Sequence, residues 1–227
     1  GHLDTFAEKP TFAFMVSLKQ ARAFQARLSR GERIRLRATV RAGRHAGAYE
    51  LVEATLPGAD PQRKAEEIVF SCHLDHPRPG ANDNASGAAT ILEVARALRK
   101  LVREGRIAPP ARTIRFVWPP EVEGTLALLN GRPELRPRIN AAIHMDRVGG
   151  GPDTKAVFHA TRGPASAVVP VDSEIGATFA PAGLGMTGSR TRIRRTTPRA
   201  SQSIMNSAGV PSVMIDLKPL QAATTLS

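Results

Sequence analysis

The fold of this chain is decided by one stretch, His73-Leu74-Asp75, followed after a Pro/Gly turn by Gly80-Ala81-Asn82-Asp83-Asn84-Ala85-Ser86-Gly87. The run before it, 68–72, is apolar and predicts a buried strand, and the run after it, 88–101, has apolar residues at helical spacing. His73 therefore ends a strand, and Asp83 lies just before a helix. In an open α/β sheet, such positions converge at the edge where ligands bind.

The segments that follow repeat the same alternation. A second apolar strand is predicted at 113–118, a helix begins at 125–129, and a third strand is predicted at 139–143. Strands that alternate with helices imply a mostly parallel sheet covered on both faces. The predicted fold is therefore α/β, a three-layer αβα sandwich.

A strand that ends in His-x-Asp and leads into Gly-Ala-Asn-Asp-Asn-Ala-Ser-Gly resembles the zinc exopeptidases of metallopeptidase family 28. Later segments keep that family's order, with Glu121-Val122-Glu123-Gly124 after the second strand and His144-Met145-Asp146 after the third. The resemblance extends from about Ala48 to Gly150. It implies a zinc-dependent exopeptidase of the aminopeptidase type, acting on peptides with a free N-terminus.

Three residues are candidate zinc ligands, namely His73, Asp83 and Asp146. Zinc prefers imidazole and carboxylate ligands, and a catalytic site leaves a coordination position for water. The resemblance implies that His73 and Asp146 bind one metal and that Asp83 bridges it to a second. The alternative is a strand-end histidine, a helix cap and a turn former, which is the better explanation of each residue taken singly but not of the set.

Two further residues are candidates for the catalytic machinery. Glu121 follows the second strand, where the family has a glutamate that takes a proton from the metal-activated water; the alternative is a solvated loop residue. Asp75 has the strand spacing that returns it to the face of His73. We expect it to support His73, because a ligating imidazole usually donates its other nitrogen to a carboxylate or carbonyl. Asn82 and Asn84 are interpreted as loop-shaping residues or as simple Asx-turns.

The chain departs from the family pattern at two places. Most members have two adjacent glutamates, a base and then a ligand, where this chain has Glu121-Val122-Glu123, and valine cannot bind a metal. Glu123 is the alternative ligand, but a displacement of one residue turns its side chain by a large angle. The family's last ligand is a late histidine, and no histidine follows His159. The equivalent stretch, 188–206, is rich in arginine, which is either a genuine loop or the product of an altered reading frame. One zinc site is therefore predicted, and a second lacks its imidazole.

These departures leave rival functions open. The first rival is a peptidase-fold protein without activity that acts as a binding or scaffold domain with one metal or none. The second is nucleic-acid binding by the arginine cluster, which we do not expect, because no aromatic residues are interleaved there to stack on bases. A solvated surface role is expected for Arg147 and Arg162, the alternative being that they bind a substrate carboxylate. A core or edge position is expected for His144, the alternative being that it faces the site.

Composition excludes several classes of protein. With 227 residues the chain is long enough for a sizeable core, and its net charge of +12 follows from an arginine bias. The single cysteine, Cys72, excludes an internal disulfide framework. No apolar run reaches the roughly 20 residues that span a bilayer. The sequence begins without Met, so an upstream segment is not excluded, and it predicts neither a compartment, cytoplasmic or exported, nor an oligomeric state.

Two domains are predicted. Residues 1–45 contain a helical pattern at 18–28 and an alternating pattern at 34–40 that predicts a strand. This arrangement looks like the remnant of the protease-associated domain that many family members carry. Residues 46–227 form the predicted zinc peptidase-like catalytic domain.

Overall fold

A seven-stranded mixed sheet forms the centre of residues 48–227, one of the two compact units of the chain. The computed structural model describes residues 12–43 and 45–150 and, beyond them, the backbone of three strands. The strands are β1 (Val52–Leu56), β2 (Glu67–Ser71), β3 (Thr113–Trp118), β4 (Ile139–Met145), β5 (Ala156–Arg162), β6 (Arg192–Arg195) and β7 (Ser212–Pro219). The helices are α1 (Leu18–Ser29), α2 (Ser86–Arg103) and α3 (Glu123–Gly131).

The strand order is β1-β3-β2-β4-β7-β5-β6, and the central strands run parallel. β2 pairs in parallel with β3 and β4, and β4 pairs in parallel with β7, whereas β1 and β5 pair antiparallel with β3 and β7. The predicted α/β fold with a mostly parallel sheet is confirmed. Because β2, β3 and β4 are parallel, their carboxyl ends open on the same edge of the sheet.

The sheet is covered on both faces. Successive side chains of a strand point to opposite faces, and in β3 Phe116 and Trp118 pack in one cluster with Ile91 of α2, while Val117 packs in another with Leu128 and Leu129 of α3. α2 and α3 therefore lie on opposite sides of β3. This gives the three layers that the sequence predicts.

The other compact unit, residues 1–47, is described from residue 12 onward, except for residue 44. α1 begins with a capping box between Ser17 and Gln20, and none of its residues is buried. The predicted helix is present, but the predicted strand at 34–40 is wrong. That segment is described throughout and pairs with no other strand, and Leu36 is 78% exposed.

The helices that the structure describes include none that is both long and apolar enough to cross a membrane.

Candidate metal centre

Three side chains converge at the carboxyl edge of the sheet. His73 follows β2, Asp146 follows β4, and Asp83 lies in the short π-type turn Ala81–Ala85 that leads into α2. His73 Nε2 lies 3.1 Å from Asp83 Oδ1 and 3.5 Å from Asp146 Oδ1. One potential ligand atom from each residue lies within 4.8 Å of the others. The structure thus brings together the three candidate ligands from distant parts of the chain.

The His73 ring is held in one orientation. Its Nδ1–H donates to the backbone carbonyl of Asp75 at 2.8 Å, which leaves Nε2 facing the two carboxylates. Burial of the ring opposes protonation, but the contact with Asp146, the Asp75 carbonyl and the negative charge of Glu121 together raise the pKa of His73 to about 9. The surroundings of Nε2 therefore favour positive charge.

The chemistry of this group fits a zinc ion. Asp146 is 5% exposed, and its Oδ1 makes no hydrogen bond within the usual distance, although it faces His73. A buried carboxylate oxygen without a donor is expensive unless a cation neutralises it. One imidazole nitrogen and two carboxylate oxygens make a three-ligand set of the kind that catalytic zinc sites use, with the fourth position open.

Asp75 supports the site in two separate ways. Its backbone carbonyl, rather than its carboxylate, accepts the hydrogen bond from His73. The carboxylate instead accepts a hydrogen bond from the backbone N–H of Glu121, with Oδ1 2.6 Å from the nitrogen. Asp75 thus links the end of β2 to the loop that follows β3, a connection that sequence spacing alone does not indicate.

Glu121 lies in a tightly turned segment between β3 and α3. The next residue, Val122, has φ 58° and ψ −70°, and the N–H of Glu123 donates to the carbonyl of Glu121 at 2.6 Å. This is the strained, positive-φ form of the γ-turn, which is rare for a β-branched residue. Strained backbone of this kind clusters at functional sites. Among the described residues, neither Glu121 nor Glu123 belongs to the group that could hold the metal.

Two asparagines form hydrogen bonds that connect the Asp83 turn to the end of β4 and the residues that follow it. Asn84 is buried, its Nδ2 donates to the Met145 carbonyl, and its Oδ1 accepts from the backbone N–H groups of Gly87 and Arg147. Asn82 Oδ1 accepts from the N–H of Gly149. These contacts go beyond a local Asx-turn, because they join the Asp83 turn to residues on either side of Asp146.

Glycine is required where α2 begins. A Cβ on Gly87 would lie 2.5 Å from the Met145 carbonyl oxygen and 2.3 Å from Asn84 Oδ1. The absence of a side chain allows the first turn of α2 to approach the end of β4.

The remaining histidines differ in environment. His144 is 2% exposed, its Nδ1 lies 3.0 Å from Ser71 Oγ, and burial lowers its pKa to about 4, so it is a neutral core residue. His76, to which the sequence assigned no role, places Nε2 3.8 Å from Asp83 Oδ2. A histidine three residues after a candidate ligand was the available signal for this contact. The side chain of His159, on β5, lies outside the described residues.

Arg147 corrects an expectation from the sequence. Instead of a solvated surface side chain, it is 27% exposed and contacts both site carboxylates, Asp146 at 3.3 Å and Asp83 at 3.7 Å. Burial works to raise the pKa of Asp146, but the contact with His73 and then the positive charge of Arg147 lower it below its ordinary value. The side chain of Arg162, also on β5, lies outside the described residues.

The late segment is described only in part. The backbone of β7 pairs in parallel with β4. Residues 188–207, where the family's late histidine is missing, lie outside the described residues except for the backbone of β6.

Comparison with known proteins agrees with this fold. A zinc aminopeptidase from Bacillus subtilis superimposes with a TM-score of 0.59 at 18% identity, over 75% of this chain and 40% of that chain. A glutaminyl cyclase from Macrostomum lignano superimposes with a TM-score of 0.54 at 16% identity, over 78% of this chain and 63% of that chain. Likeness at these identities shows the fold alone.

A family model identifies the family, and sequence relatives agree with it. Leucine aminopeptidase 1 of Trichophyton rubrum is 32% identical over 127 residues, which are 49% of this chain and 32% of that protein. The match thus spans about a third of the relative's length. The family model for peptidase family M28 matches residues 52–215, most of the chain. This chain therefore belongs to peptidase family M28.

Proposed function

We propose that this protein is a zinc-dependent exopeptidase of the aminopeptidase type. The observation that carries the proposal is the convergence of His73, Asp83 and Asp146 at the carboxyl edge of the sheet, in a chain that belongs to peptidase family M28. The aminopeptidase names of its relatives support the reaction type. The substrate class that follows is a peptide with a free N-terminus.

The three residues would hold the ion through His73 Nε2 and one oxygen of each carboxylate. When bound, zinc supplies Lewis-acid chemistry, lowering the pKa of water to about 7 and polarising a carbonyl group. The Asp75 carbonyl keeps the His73 ring in the orientation that ligation needs. Asn84 and Asn82 keep the two carboxylates together.

Glu121 is the proposed general base. Its carboxylate takes a proton from the attacking water, whose oxygen bonds to the peptide carbonyl carbon. The carbon–nitrogen bond then breaks, and the same proton passes from Glu121 to the leaving amine. Support comes from the position of Glu121 after β3, its anchorage to Asp75, and its electrostatic influence on His73.

Hydrolysis of leucine 4-nitroanilide tests the proposal. We expect turnover that is lost on chelation, returns with zinc, and falls about 1,000-fold in Glu121→Gln, within the range for loss of a general base. Glu123→Gln is the matched control, because it makes the same change two residues away and should retain most activity. Equal losses in the two variants would contradict the role of Glu121.

A scaffold protein without activity is the second candidate. It is favoured by Val122, which replaces a possible ligand, and by the lack of a histidine after His159. Zinc binding without turnover of any aminoacyl anilide would establish it. Peptides with N-terminal glutamine belong in the same assay, because release of ammonia instead of an amino acid would indicate a cyclase and contradict the exopeptidase.

We also propose that residues 1–45 belong to a protease-associated-type unit separate from the catalytic domain at 46–227. Supporting this, the chain divides into two compact units at residues 1–47 and 48–227. Brief proteolysis should cleave near the boundary and leave a stable fragment that begins close to residue 46. Cleavage first within β1 to β4 would contradict this division.

A further inference from the structure

The two site carboxylates divide their oxygens between two partners. The Oδ1 atoms of Asp83 and Asp146 face His73 Nε2, at 3.1 and 3.5 Å. The Oδ2 atoms face Arg147, with Nη1 3.7 Å from Asp83 and Nη2 3.3 Å from Asp146. The guanidinium thus spans the pair of carboxylates on the side away from His73.

The backbone holds Arg147 in this position. Its φ is 54°, in the left-handed region that non-glycine residues seldom adopt. The N–H of Arg147 donates to Asn84 Oδ1, and the same buried amide is tied to the Met145 carbonyl. A left-handed residue directly after Asp146 turns the chain so that its side chain can reach back to that carboxylate. Such conformations persist only where the surrounding structure imposes them.

We propose that Arg147 is a built-in cation that takes the side of the carboxylate pair where a second metal ion would bind, so that the chain holds one zinc ion. This proposal rests on the proposed function, because it takes His73, Asp83 and Asp146 as the zinc ligands. A divalent ion at the Oδ2 atoms of Asp83 and Asp146 would be repelled by the guanidinium and would compete with it for these two atoms. Arg147 is therefore a positioning residue that sets the metal stoichiometry.

The sequence also offers few ligands for a second ion at this edge. Val122 offers no ligand atom where most family members have a glutamate, and no histidine follows His159. Unlike a second metal ion, the Arg147 guanidinium supplies positive charge to the carboxylates without needing further ligands.

The test is zinc stoichiometry, measured by equilibrium dialysis and elemental analysis on the full chain. We expect one equivalent in the wild type and a second in Arg147→Met, bound at least ten-fold more tightly than any second equivalent in the wild type. Arg147→Lys retains the charge and should stay at one. Arg99→Met, which removes an exposed arginine from α2, is the control for net charge and should also stay at one.

A second variant guards against misfolding of Arg147→Met. Glycine suits the left-handed backbone, so Arg147→Gly should fold and bind two equivalents. Added ethylguanidinium should return it to one by restoring the missing cation, which a purely structural role of Arg147 would not do. A wild type with two equivalents, or variants that stay at one, would overturn the proposal.

Hydrolysis assays on the same samples separate this proposal from the proposed function. One equivalent without turnover would refute the peptidase and leave the role of Arg147 supported. Two equivalents with turnover would support the peptidase and refute the role of Arg147. A wild type and variants that bind no zinc would overturn both.

Discussion

The carboxylate of Asp75 accepts a hydrogen bond from the backbone N–H of Glu121, with 2.6 Å between the two atoms. This contact joins the residue that orients the His73 ring to the proposed general base, across two neighbouring parallel strands. The backbone carbonyl of Asp75 holds the imidazole, whereas the side chain of Asp75 holds Glu121. A mutation of the Asp75 side chain can therefore remove the contact with Glu121 and keep the contact with His73.

Asp75→Ala should lower kcat by about 10- to 100-fold, the usual effect of losing a supporting contact at a metal site. Zinc content should remain unchanged, because the backbone carbonyl that holds His73 is still present. Steady-state kinetics and metal analysis of the same preparation check this. A fall in zinc affinity with unchanged kcat would contradict the division of roles.

Zinc should stabilise the folded protein through the three ligands. At 100 times the dissociation constant, a ligand that binds only the folded state adds about 2.7 kcal/mol, or about 5 to 10 °C in Tm for a domain of this size. Asp83→Asn should lose most of that shift, whereas Glu93→Gln, an exposed change on α2, should retain it. Equal shifts in the two variants would show that zinc binds elsewhere.

At position 122, glycine should give a more stable protein than alanine, the reverse of the usual order. In ordinary helix or strand interiors glycine is less stable than alanine, but at φ 58° a Cβ is strained by about 1 to 2 kcal/mol. Val122→Gly should therefore be about 1 kcal/mol more stable than Val122→Ala. Urea unfolding of both variants measures the difference, and the opposite sign would show that this backbone conformation is not adopted.

Acid should weaken an ion pair on the edge strand β1. The hydrogen bond from Arg132 lowers the pKa of Glu53 below its ordinary value of 4.5, and Arg115 adds to this effect while burial opposes it. A carboxylate whose folded pKa is lowered stabilises the protein above its unfolded pKa, and this contribution is lost as pH falls through the folded pKa.

The free energy of unfolding of Glu53→Gln should therefore fall less steeply than that of the wild type between about pH 6 and pH 3. Denaturant titrations across this range provide the measurement. Glu50→Gln, an exposed neighbour, should retain the wild-type slope. Parallel slopes in all three proteins would mean that the Glu53 pair does not titrate with folding.

Local patterns predicted the central strands and α1 correctly but were wrong about a strand at 34–40. The apolar runs of β2, β3 and β4 predicted strands because each packs against neighbours in a shared core. The alternation at 34–40 predicted a strand that does not form, since a strand also needs a ladder partner and this segment has none among the described residues. Periodicity reports which side chains can be buried, not whether another strand is available to pair with them.

The convergence of the candidate ligands was predictable, but the contacts that support them were not. His73 at a strand end and Asp83 just before a helix were expected at one edge of the sheet, and the family resemblance added Asp146. Asn84 was visible only as a turn residue, since its partners Met145 and Arg147 are more than 60 residues away in the chain.

By itself, the sequence determined the α/β class with a mostly parallel sheet, because this depends on hydrophobic period, and it indicated the three candidate ligands through residue type, position and the family resemblance. The tertiary structure decided which atom of Asp75 holds which partner, and it placed the Arg147 guanidinium against the carboxylates. Those relationships depend on backbone angles and on contacts between distant loops, and no local pattern encodes either.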